Sequence, residues 1–109
     1  MRSEEMIKLL PSGLREVLQK MNLDVAGLQE IRLRAEQPAV ILSHGKEYVS
    51  QTVIHRRQLE ETLAYLGNYS LYAYEEEIRR GYLSLPGGHR VGIAGRVVEI
   101  SVRSRRYLL

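Results

Sequence analysis

Arginine grips carboxylates and phosphates because its planar guanidinium presents a rigid fork of donors and stays charged at any physiological pH. Two stretches place arginines at strand spacing. In Glu30-Ile31-Arg32-Leu33-Arg34, apolar and charged residues alternate, so Arg32 and Arg34 share one face of a half-buried strand. In "GGHRVGIAGR", four of the chain's nine glycines fall within ten residues. Read with period 2, Val91, Ile93, Gly95 and Val97 take one face. Arg90, Gly92, Ala94, Arg96 and Val98 take the other. That second face is two arginines flanking a floor without large side chains, where another backbone or helix can approach closely. If both strands lie in one sheet with these faces aligned, four guanidinium groups line one surface. The bland alternative is a solvated face with ordinary ion pairs to the many glutamates.

Other chemistries lack their parts. A phosphate-binding P-loop ends in Gly-Lys-Ser/Thr, whereas Gly45-Lys46 is followed by Glu47, whose carboxylate repels phosphate. Gly88, Gly92 and Gly95 have the wrong spacing for a dinucleotide fingerprint, and a strand pattern follows them instead of a helix. Gly92-Ile93-Ala94-Gly95 matches the GXXG of KH-type nucleic-acid clamps, but its middle is apolar and strand pattern lies on both sides. The tyrosines could stack bases. With no Phe or Trp in the chain, however, they are needed to fill the core, Tyr74 among them. His44, His55 and His89 fall on different predicted elements with no ligand spacing between them, so no metal site is expected. No nucleophile–base set assembles.

The 109 residues suit one domain, and 44% hydrophobic with 27% charged is ordinary for a globular protein. The absence of cysteine excludes disulfides and thiol nucleophiles, and no apolar run reaches membrane-spanning length, so no direct membrane insertion is expected. The formal charge of +3 falls to zero without Arg103, Arg105 and Arg106 in the last seven residues. The basic signal is therefore assigned to a tail, and a nucleic-acid partner is disfavoured.

These residues need elements to hold them. "EEMIKLL" reads as a short helix ended by Pro11. Ser12 is placed to cap a second helix with Leu14, Val17, Leu18 and Met21 as its apolar stripe. The "EIRLR" strand is expected to end at Pro38. "AVIL", a His44-Gly45 turn and "KEYVS" then complete a small antiparallel meander. A helix starting near Arg56 buries Leu59, Leu63 and Leu66 and is capped by Gly67. A second, Ser70-capped helix over "LYAYEEEIRR" stops at Gly81 and makes a helical hairpin with it. "YLSL" is a strand, "PGGH" with Gly87 and Gly88 a turn, and "RVGIAGRVVEI" one further strand. The fold class is α+β, a mostly antiparallel sheet packed with amphipathic helices.

"LQEIRLRAEQPAVI" and "SLYAYEEEIRRGYLSLPGGHRVGIAGRVV" together resemble the N-terminal region of the stage III sporulation protein AA family of endospore formers. The resemblance covers roughly residues 5–98. After Val98, "EISVRSRRYLL" departs from the family's usual continuation, so 1–98 is read as the domain and 99–109 as an atypical basic tail. Full-length members resemble secretion-type P-loop ATPases that would energise the mother cell–forespore channel complex. The resemblance implies a non-catalytic, cytoplasmic N-terminal accessory domain. Its implied partners are its own ATPase core, sister subunits or channel proteins, with ATP and magnesium belonging only to the ATPase region. Arg90, Arg96, Arg32, Arg34 and, through the GGHRVG motif, His89 are the expected docking residues, with Gly92 and Gly95 allowing close packing. A KH-like nucleic-acid module is the alternative.

Overall fold

Apolar–polar alternation, turn chemistry and one glycine stop build most of the architecture. The computed structural model describes residues 5–8, 10–23, 27–68, 79–84, 90–94 and 99–104. Strand β1 (Leu28–Arg34) buries Leu28, Ile31 and Leu33 on one face. A bulge between Leu28 and Glu30 corrects the phase. β2 (Gln37–Ser43) returns antiparallel with Ala39 and Ile41 inward. β3 (Lys46–Ile54) completes the meander through His44 and Gly45, whose φ values of 51° and 76° suit a two-residue hairpin turn. Pro38 does not end a strand as its lost donor suggested. It lies inside β2 opposite Val53, beside an irregularity in the β2–β3 register. Ser50 closes that irregularity by accepting from the Ala39 N–H at 2.9 Å and donating to the Thr52 carbonyl at 2.7 Å.

Helices α1 (Glu5–Lys8) and α2 (Ser12–Lys20) precede the meander, and α3 (Arg56–Gly67) follows it. Leu14 and Leu18 of α2, and Leu59, Leu63 and Leu66 of α3, pack against the inward residues of the sheet. Ser12 is the first helical residue and Pro11 is the cap, so the expected Ser12 cap does not form. Gly67 is the last residue of α3, with Asn68 following in right-handed conformation. No left-handed glycine cap is used there. The carboxylate of Glu36, in the β1–β2 turn, accepts from the Arg56 N–H and thereby covers the N-terminus of α3. The predicted second helix of the hairpin lies outside the described residues, except that Arg79 and Arg80 are helical. Gly81 follows them at φ 87°, as a helix stop requires.

β4 (Tyr82–Ser84), β5 (Arg90–Ala94) and β6 (Glu99–Arg103) complete a six-stranded antiparallel sheet in the order β3-β2-β1-β6-β5-β4. Two expectations change here. "RVGIAGRVVEI" is two strands paired antiparallel, Ala94 opposite Glu99, and not one. Residues 99–103 are not a tail outside a domain ending at 98. They form a central strand between β1 and β5, with Ile100 and Val102 fully buried. The charge count drew attention to the arginines, while the strand alternation of Ile100 and Val102 decides the structure. No described helix is long and apolar enough to cross a membrane.

Candidate functional site: the outer face of the sheet

The helices cover one face of the sheet, where Ile31, Leu33, Ile41, Val91, Ile100 and Val102 point. The strand register defines the other. One row across it runs Val49, Val40, Arg32, Ser101, Gly92, Tyr82. The next runs Glu47, Leu42, Glu30, Arg103, Arg90, Ser84. Arg34, Glu99 and Ala94 form a third. Arg32, Arg34 and Arg90 therefore do share one surface, because β1 and β5 both flank β6 and carry their arginines in matching phase. Arg96, His89, Gly87, Gly88 and Gly95 lie outside the described residues. The fourth guanidinium found on this face is that of Arg103, which the charge count had assigned to the tail.

Two carboxylates meet three of these four guanidiniums, those on β1 and β6. Glu30 accepts from Arg32 Nη2 at 2.8 Å and Nε at 3.0 Å through one oxygen, and from Arg103 Nε at 2.8 Å through the other. Its side chain is only 8% exposed. Glu99 accepts from Arg34 Nε at 3.0 Å. So the ordinary ion-paired reading holds for Arg32, Arg34 and Arg103, and positive charge remains in surplus. Arg90 stands directly opposite Arg103, a like-charge cross-strand pair that disfavours the strand pairing. Among the described residues no carboxylate bridges to Arg90. Its guanidinium sits over the Tyr82 ring, 5.6 Å from the centroid.

Gly92 lies between these groups. The close packing expected at Gly92 is not made within the chain: a Cβ built there meets nothing within 4 Å among the described residues, and its φ is not in the left-handed region. Nor is Gly92 part of a KH-type clamp. Gly92, Ile93 and Ala94 run inside β5, whereas that clamp needs a turn between two helices. Toward β3 the face becomes apolar, with Pro38, Val40 and Leu42 half-buried, and Val49 and Val53 exposed at 59% and 37%.

A cleft of about 340 Å³ between α2 and β3 is lined by Val17, Lys20, Met21, Leu23 and residues of β3, and it brings no acid–base pair together. Among the described residues no three His, Asp or Glu are grouped to hold a metal.

An antiparallel sheet sealed by helices on one face, with an open arginine-rich surface on the other, defines the protein as a small α+β domain with a flat charged face. The chain belongs to the sporulation stage III, protein AA family, whose pattern it matches over residues 1–107. It is 32% identical over 95 residues to stage III sporulation protein AA of Bacillus subtilis (strain 168). That match covers 86% of this chain and 31% of the relative, so the chain spans under a third of the relative's length. The family match runs through β6 and past Val98. No solved structure matches.

Proposed function

We propose that this chain is the N-terminal accessory domain of a stage III AA sporulation protein, that it is non-catalytic, and that it docks through the outer face of its sheet. The docking surface is centred on Arg90 and Arg103, with Arg32 and Arg34 beside them. Its partner is the ATPase core of the same protein, a sister subunit or a component of the mother cell–forespore channel, on the cytoplasmic side in the mother cell. ATP and magnesium belong to the ATPase region in this reading. The family membership supports the setting. The observation that carries the docking role is the surplus of guanidinium groups on the outer sheet face, with Arg90 opposed to Arg103 and, among the described residues, bridged by no carboxylate.

The test uses the full-length family protein carrying Arg90→Ala and Arg103→Ala. The expected result is impaired assembly or ATP turnover while the domain keeps its fold by circular dichroism. Unchanged oligomerisation and turnover would remove the docking role.

A further inference from the structure

Gly92 is a glycine that its own fold does not require. Glycine inside a strand is less stable than alanine, and two circumstances usually compensate for that. One is a left-handed φ; the other is a neighbour that a Cβ would strike. Gly92 has neither among the described residues. Its row explains what its bareness makes. Ser101 and Gly92 are the two small residues in the middle of the row, and Arg32 on β1 and Tyr82 on β4 bound them. The walls stand three strand spacings apart, about 14 Å. Less the thickness of the two wall side chains, that spacing seats the contact ridge of one α-helix, whose Cα cylinder has a radius of about 2.3 Å.

The charges in the trough fix the sign of the occupant. Arg90 and Arg103 face each other at one end; Arg103 shares the carboxylate of Glu30 with Arg32, and among the described residues no carboxylate bridges to Arg90. An occupant that brings carboxylates to that end relieves the like-charge contact. Phosphate polymers fit the surface less well, because Glu30 and Glu99 stand among the arginines and the adjoining part of the face is apolar. We infer that the trough over Ser101 and Gly92 receives a single acidic, amphipathic helix of a protein partner, with its carboxylates on Arg90 and Arg103. This rests on the reading of the outer face as a docking surface and names what it takes.

The test is fluorescence anisotropy of the 109-residue chain with a labelled helical peptide of about 15 residues, roughly 22 Å long. The peptide carries leucine on one flank and glutamate on the other. Two controls replace every glutamate by lysine, or place a proline at the centre of the acidic peptide to break the helix. The acidic helix is expected to bind at least about tenfold more tightly than either control. Gly92→Val is expected to weaken it by about the same factor while melting no lower than the parent. Arg90→Ala combined with Arg103→Ala is expected to abolish it. Equal binding of the proline-broken peptide, unchanged binding to a folded Gly92→Val chain, or no binding of the acidic helix each overturns the inference. Loss of assembly in the full-length arginine variant, together with no acidic-helix binding, leaves the docking surface standing and removes the helix. Failure of both removes the two together.

Discussion

Glu30→Gln is the most informative change to the fold, because the two oxygens of Glu30 hold two arginines at 2.8 Å each. The amide keeps the shape, loses the charge, and turns one acceptor into a donor facing a guanidinium. Hydrogen bonds to charged groups contribute about 1.5–3 kcal/mol each, and removing one partner of a buried pair costs about 3–5 kcal/mol. Glu30 is buried, but Arg32 and Arg103 are 33% and 55% exposed and can turn to water, so the upper figures do not apply. A loss of about 2 kcal/mol follows, or roughly 8–16 °C in Tm for a domain of this size. Urea unfolding at constant m measures it. Glu99→Gln is the internal comparison. Glu99 is 28% exposed and its Arg34 partner 55%, so the expected loss is no more than about 1 kcal/mol. A Glu30→Gln loss below about 0.5 kcal/mol, or equal losses at the two glutamates, would refute the argument that burial separates them.

Ser50→Ala leaves the Ala39 N–H without its acceptor in a buried position, and urea unfolding should show a loss of about 1–3 kcal/mol. Gly81→Ala places a Cβ at φ 87° beside the Ile93 carbonyl, and the same assay should show a loss of about 1–2 kcal/mol. The Arg56 N–H, and then the His55 ring, hold the Glu36 carboxyl below its ordinary value. The unfolded chain therefore binds the proton more readily than the folded one. The stabilisation is complete above the ordinary glutamate range near 4.3 and disappears as pH falls through the lower folded value. Carbon-13 titration of the Glu36 carboxyl should give a midpoint below the ordinary glutamate value, and Glu36→Gln should flatten the acid limb of the stability curve.

The local elements were legible in the sequence wherever one signal acted alone. Alternation at Ile31 and Leu33, the His44-Gly45 turn, the Leu59-Leu63-Leu66 stripe and the Gly81 stop all appear in the structure as the residues suggest. The shared face of Arg32, Arg34 and Arg90 was legible as a condition, and sheet order supplied the missing step. Arg103 was missed because a net charge is blind to periodicity. The pattern of Glu99, Ser101 and Arg103 alternating with Ile100 and Val102 was present to be read. The hairpin between β5 and β6 was hidden because no proline or Asn-Gly pair within 94–99 marks a reversal. Pro38 misled because an irregularity in strand pairing, a tertiary feature, accommodates it.

Amide hydrogen exchange compares the isolated chain with the same residues inside the assembled full-length family protein and tests the docking surface most directly. The outer-face account predicts added protection on assembly at β5, β6 and the neighbouring half of β1, with the edge strand β3 changing least. Protection gained only at β3 or α2, with β5 and β6 exchanging as they do in the isolated chain, would contradict it.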